Sequence, residues 1–407
     1  MACYTVSFFR LWYYLDVILP SADLASPEPA AHPAAVPPPP PPPAVPVPVV
    51  TDDGTITAPT IERFLLGMHS DRRVSDLIVR DNGQLAWRRL GAWQRNTQPA
   101  EAYFGANWWS DFCDRVAMPR AIEGNAWEGI PSFGSARFRV CANRYLYGTQ
   151  AVLRTLASRI PEPEEILLPP KFVDKFLGMS SGLVVLFGVT GSGKSTSIAS
   201  LLTRRATRPP KGPGAGEHWV TMEDPVEYVL PNDRPTIITQ RSLGSDFPSF
   251  ADALKTVLRS APDGVFVGEL RDDETAKACM SAASSGHVVV TTLHAATAGE
   301  AVDRLIVMMG TVEAQANGRH LLSTTDLMLC GQKLIPHPTE HKRVPIHEVC
   351  WTTPALSNFI KENKTRQFPQ VISGSRAEGM QEFSHALEER CDQEELPNSM
   401  RPKVNPV

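Results

Sequence analysis

An α/β fold is predicted: a mostly parallel sheet wrapped by crossover helices, with a smaller α+β unit ahead of it. Three observations predict it. First, the apolar run Leu183-Val184-Val185-Leu186-Phe187 leads into the glycine-rich octet Gly188-Val189-Thr190-Gly191-Ser192-Gly193-Lys194-Ser195, and Ser197–Leu202 then reads as a helix. Strand, phosphate-loop pattern and helix follow in the order that pattern requires. Second, apolar strand-like runs alternate with helical stretches on both sides of that octet, the signature of parallel strands joined by crossover helices. Third, the region before it mixes one amphipathic helix with short alternating strands.

Bulk properties set the frame. The chain has 407 residues and a net charge of −4, so no global basic field argues for nucleic-acid binding. Its seven cysteines are scattered with no C-x-x-C pair, which suggests neither a zinc site nor a disulfide framework and fits a reducing compartment. In the first twenty residues, Leu11 to Leu19 is apolar except for Asp16, and Arg10 interrupts the run upstream. A signal peptide or membrane anchor is therefore disfavoured.

Residues 1–57 are expected to be a disordered, proline-rich extension. The unbroken Pro37–Pro43 excludes helix and sheet ladders and favours a stiff polyproline spacer. An α+β domain is expected over 58–160, with a helix at Ile61–Leu66 and strands at Asp76–Val79 and Arg137–Val140. A linker at 161–172 carries Pro161, Pro163, Pro169 and Pro170. The nucleotide-loop domain then spans 173–350. A helical region is expected over 351–390, and a loose tail over 391–407.

The octet matches G-x-x-x-x-G-K-[ST] at every fixed position. Glycines let backbone N–H groups curl towards phosphate oxygens at the positive end of a helix. Gly188, Thr190, Gly191, Ser192, Gly193, Lys194, Ser195 and Thr196 are the candidate nucleotide-binding residues. Lys194 would reach the β- and γ-phosphates of ATP, and Ser195 would hold Mg²⁺.

Three later clusters carry further chemistry. Thr221–Tyr228 places Glu223, Asp224 and Glu227 close together at a strand end, where Glu223 and Asp224 suit Mg²⁺ or an ordered water. Read alone, such an acidic turn is as well explained by solvation. The strand Val265-Phe266-Val267 delivers Glu269 to the carboxyl end of the sheet, where it could deprotonate the attacking water. Gly268 stands where a metal-binding aspartate is common, and a plain salt bridge from Glu269 to Arg271 is the competing explanation. Gly264 at the head of this strand is expected to loosen it. Finally, Gly286–His294 is a buried strand ending in His294, which could sense the γ-phosphate or merely pack.

The order of phosphate loop, acidic box, strand-end glutamate and histidine box resembles the type II/IV secretion ATPase superfamily. Ser75-Asp76-Leu77, Ala136–Arg139, Val152–Thr155 and Thr353–Ile360 extend that resemblance over about residues 60–365. It implies a RecA-like core, a PAS-like α+β N-terminal domain and a helical C-terminal segment. It also implies an ATPase that uses ATP and Mg²⁺ and works as a homo-hexamer. The motor would be cytoplasmic, held peripherally at the inner membrane by components of a secretion or pilus apparatus. On the same resemblance, Glu269 is the general base, Glu223 and Asp224 organise metal and water, and His294 and His287 match the histidine box. Arg137, Arg139 and Arg154 would reach the nucleotide.

The chain departs from the family in four places: Ile78 follows Ser-Asp-Leu, Gly264 replaces a usual apolar residue at the start of the strand before Glu269, Ala295 follows His294, and an extra loop spans Pro209–Gly216. The absence of a four-cysteine insert argues against assembly-type ATPases. Pro248–Ala253 and Val257–Pro262 lean the reading to conjugal or type IVB transfer, with pilus retraction as the alternative. A DNA translocase is a remote third, because no basic, aromatic-interleaved stretch is present and direct nucleic-acid binding is not expected. A nucleotide-gated assembly factor with slow turnover is a fourth.

Overall fold

The computed structural model describes residues 55–71, 74–89, 92–124, 126–133, 136–156, 159–208, 216–232, 235–340 and 342–401. The expectations for residues 1–54, proline tract included, lie outside them. So does nearly all of the Pro209–Gly216 loop.

The first half is an antiparallel sheet under helices. Thr60 caps α1 (Ile61–Ser70), its hydroxyl accepting from the Arg63 N–H. The following elements are β1 (Val74–Arg80), β2 (Leu85–Arg89), β3 (Ala92–Arg95), α2 (Ala100–Phe104) and α3 (Trp108–Arg115). β4 (Ala126–Gly129), β5 (Ser132–Phe133), β6 (Ala136–Tyr145) and β7 (Gly148–Leu156) complete it. The strands run in the order β3-β2-β1-β7-β6-β4, with β5 also on β6. Period-2 alternation decides the faces. On β6, Ala136, Phe138, Val140 and Ala142 are buried, while Arg137 and Arg139 alternate with them on the outer face. The inner face packs on Phe64, Leu65 and Phe112 in one apolar cluster. Ile56 belongs to that cluster too, so the packed unit begins slightly before residue 58.

The second half has its own core. Its elements begin with α4 (Pro170–Gly178), β8 (Gly182–Phe187), α5 (Lys194–Thr207), β9 (His218–Glu223), β10 (Ile237–Ser242) and α6 (Phe250–Val257). They continue with β11 (Gly264–Val267), α7 (Asp273–Ser284), β12 (Val288–Leu293), α8 (Ala298–Val307), α9 (Val312–Thr324), β13 (Leu327–Pro336) and β14 (Arg343–Trp351). Strand order is β10-β9-β11-β12-β8-β13-β14. All neighbours are parallel except β14, which folds back antiparallel on β13. β8, β11 and β12 are buried at every position, as strands covered on both faces must be. This is the expected α/β architecture, and the antiparallel edge strand is an addition to it.

Gly264 does not loosen β11. The strand is paired on both sides, and Gly264 lies opposite Trp219. A Cβ on Gly264 would sit 2.4 Å from the Trp219 ring, so glycine there makes room for an indole. Gly264→Val is therefore expected to destabilise the fold by about 1–3 kcal/mol through overpacking. A lowered denaturation midpoint measures this, and an unchanged one refutes it.

The C-terminal region is helical, with α10 (Pro354–Lys361), α11 (Phe368–Gly374) and α12 (Phe383–Asp392). The segment after it was expected to be loose. Instead, Cys391 and Leu396 are buried against Val344, and the described chain continues to Arg401. Burial of two apolar side chains outweighs the polar composition that suggested a free tail. Among the described residues, no helix is long and apolar enough to cross a membrane.

Candidate nucleotide site

Topology brings the motifs together. β9, β11, β12 and β8 are consecutive parallel neighbours, so their carboxyl ends share one edge of the sheet. The acidic box follows β9, Glu269 follows β11, His294 follows β12 and the phosphate loop follows β8. Chain order separates these clusters by tens of residues, and sheet order makes them adjacent.

The loop is shaped by glycines that L side chains could not replace. Gly188, Gly191 and Gly193 have φ of 149°, 77° and 92°, and α5 starts directly after Gly193. The loop therefore ends on the positive end of a fourteen-residue helix, which favours an anion there. Lys194 donates to the carbonyl oxygens of Gly188 at 2.8 Å and Val189 at 3.1 Å. Burial lowers its pKa, and the nearby Glu269 and Glu227 push it back up. Thr196 shares a 2.8 Å hydrogen bond with the Tyr228 hydroxyl, which ties the first turn of α5 to the acidic box. Ser192 is buried, and Ser195 is half-buried on that first turn.

The carboxylates fall into two sets, Glu223 held by its own strand neighbours and Glu269 tied to Asp224 through Arg271. Glu223 Oε1 accepts from Thr221 Oγ1 at 2.7 Å and Gln240 Nε2 at 3.2 Å, and burial raises its pKa. Gly268 permits close approach, since a Cβ there would lie 3.2 Å from the Met222 carbonyl oxygen. Its N–H donates to that oxygen at 2.8 Å, and Thr292 Oγ1 donates to the Gly268 carbonyl at 2.6 Å. Glycine at this position thus sets Glu269 beside the acidic turn. One oxygen of Glu269 takes Arg271 Nε at 2.9 Å and the other takes His294 Nε2 at 2.9 Å. Arg271 Nη1 also reaches Asp224 Oδ2 at 2.9 Å. Hydrogen bonds to both carboxylates, Glu269 first, raise the Arg271 pKa. The salt bridge weighed against a catalytic Glu269 is present, and it lies inside the cluster. Asp272 turns the chain away by capping α7, accepting from the Thr275 N–H at 2.7 Å.

The three arginines divide. Arg137 leaves the outer face of β6 and donates to the carbonyl oxygens of Glu227 at 2.5 Å and Val226 at 3.3 Å. It therefore joins the α+β half to the acidic box. Burial lowers its pKa, opposed by Glu223. Arg139 pairs with Glu128 at 3.9 Å and Arg154 with Asp76 at 3.0 Å, both within their own sheet. His287 opens β12 and His294 follows its end, so a strand of about 20 Å separates them. His287 is remote from the cluster.

Sequence reasoning missed Gln332 on β13. It is almost fully buried, and Ser197 Oγ donates to its Oε1 at 2.7 Å. Only proximity in three dimensions identifies it, because 135 residues separate the two.

Residues 132–390 match the type II/IV secretion system protein family, which is most of the chain. The chain belongs to that family. It is an ATPase of this family. It is 37% identical over 254 residues to a twitching motility protein of Neisseria gonorrhoeae, covering 62% of this chain and 65% of that protein. It is 35% identical over 271 residues to the type IV pilus ATPase PilU of Pseudomonas aeruginosa, covering 66% and 68%. Among solved structures it resembles the pilus retraction motor PilT with bound ADP, at TM-score 0.66 and 28% identity over 81% of this chain and 92% of that one. The ATPase DotB of Legionella pneumophila overlays at TM-score 0.67 with 23% identity over 84% and 93%, a likeness of fold alone. The core is accordingly RecA-like.

Proposed function

We propose that this family member is a motor of the pilus-retraction type, which hydrolyses ATP with Mg²⁺ to pull pilin subunits out of a fibre. The observation that supports the reading best is the kinship to proteins named for twitching motility and pilus retraction. This reverses the order of the two readings drawn from sequence, which had favoured conjugal or type IVB transfer. The DotB likeness argues for the fold and not for that machine.

In this proposal the loop from Gly188 to Thr196 wraps the phosphates, with Lys194 on the β- and γ-phosphates. Mg²⁺ takes hard oxygen ligands, and the Ser195 hydroxyl with the Glu223 and Asp224 carboxylates offers that donor set. Glu269 deprotonates the attacking water. Its two oxygens are held by Arg271 and His294, and each keeps acceptor capacity for a water. His294 stays as the group that orients the base. Arg137 links the α+β half to the acidic box, and Arg139 and Arg154 exchange Glu128 and Asp76 for phosphate when the two halves close. A homo-hexameric ring, peripheral at the inner membrane and held by pilus-base components, completes the proposal. The domain plan read from the sequence goes with it: 58–160 moves against 173–350 across the linker 161–172.

The test is deletion in the native host with the chain restored in trans. We expect surface motility to be lost on deletion, to return with the intact chain, and mating efficiency to stay unchanged. Motility intact with mating lost would restore the conjugal reading.

A further inference from the structure

We propose that Gln332 is the positioning residue of the phosphate-binding loop; the inference rests on the nucleotide reading of that loop. Three contacts converge on it. β13 runs parallel to β8 and its last paired residue is Gly331, opposite Phe187. A Cβ on Gly331 would lie 2.4 Å from the Phe187 ring, so glycine lets β13 stay close to β8 up to the strand end. The next residue, Gln332, therefore lies beside the first residue of the loop. A Cβ on Gly188 would be 2.5 Å from the Gln332 carbonyl oxygen. At the far end of the loop, a Cβ on Gly193 would be 2.8 Å from Gln332 Nε2. One turn into α5, the buried Ser197 hydroxyl donates to Oε1.

A single side chain and its own carbonyl thus touch the first loop glycine, the last loop glycine and the helix behind them. Gln332 is 3% exposed, so it acts through the loop and not on the ligand. The consequence follows from the loop's chemistry. Phosphate binding needs several backbone N–H groups aimed inward at once. Glycines with positive φ make that conformation accessible and also make it soft. Gln332 removes that softness before the ligand arrives, which lowers the ordering cost of binding. Its amide suits the position because it offers an acceptor to Ser197 and an N–H group towards Gly193, which leucine or methionine cannot do.

The experiment compares the intact chain with Gln332→Leu, Ser197→Ala and the double variant. A fluorescent ADP analogue reports affinity, steady-state phosphate release reports kcat and KM, and thermal denaturation reports folding. We expect each single variant to raise Kd and KM by roughly tenfold, as loss of one buried hydrogen bond does. We expect kcat at saturating ATP to stay within about threefold, because no group touching the substrate has changed. The double variant should be little worse than either single one, because both remove the same contact. A lowered denaturation midpoint with unchanged Kd would assign Gln332 a purely structural role and overturn the inference. So would single effects that multiply in the double variant. Should Gln332→Leu fail to fold, Ser197→Ala decides alone, and unchanged affinity in it is a refutation. Failure of the unsubstituted chain to bind the analogue would instead overturn the nucleotide reading itself.

Discussion

Lys194→Ala will weaken ATP binding by roughly 100-fold or more. The ammonium sits on the first turn of α5 and is held against the Gly188 and Val189 carbonyl oxygens. Those two contacts keep the side chain folded over the loop, where incoming phosphate oxygens would replace them. Burial disfavours the unpaired charge, so the anionic oxygens of a triphosphate are better partners than the carbonyls. Alanine keeps the helix and its dipole but removes the only side-chain cation of the loop. Equilibrium binding of a fluorescent ATP analogue checks this. Affinity within threefold of the intact chain would show that the backbone alone carries the site.

Glu269→Gln will bind ATP and turn it over about 10²- to 10⁴-fold more slowly. Glutamine keeps the size of the side chain and can still accept from His294 or Arg271. It cannot take a proton from water. The substitution also removes one negative charge from a group that includes Glu223, Asp224 and Glu227. Affinity for the polyanionic triphosphate should therefore hold or improve. A single-turnover measurement separates binding from chemistry. Near-normal hydrolysis would remove Glu269 as the base and leave Glu223 as the buried carboxylate to examine.

Much of the fold was legible because its signals are local. β8, the phosphate loop and α5 are contiguous, and period 2 on β6 marked the arginine face. The helix α10 was legible through the resemblance of Thr353–Ile360, and the structure adds the Thr353 cap with Pro354 at its first turn. What escaped depends on residues distant in sequence. Gly264 looked like a weakness until Trp219 was found across the strand pair. The resemblance puts Arg139 and Arg154 at the nucleotide, and no local signal marked the carboxylates they pair with in their own sheet. Arg271 looked like a rival explanation for Glu269, whereas it ties Glu269 to Asp224. Gln332 gave no local signal, since a single glutamine in an apolar strand has many uses. The tail beyond Cys391 was misjudged because composition cannot see Val344.

In the proposed function, hydrolysis at this site pulls pili inward. Imaging labelled pili on living cells of the native host tests it most directly, with the gene replaced by the Glu269→Gln form. We expect pili that extend normally and do not retract, with retraction restored by the unsubstituted chain. Retraction events at normal frequency and speed in the Glu269→Gln cells would contradict it.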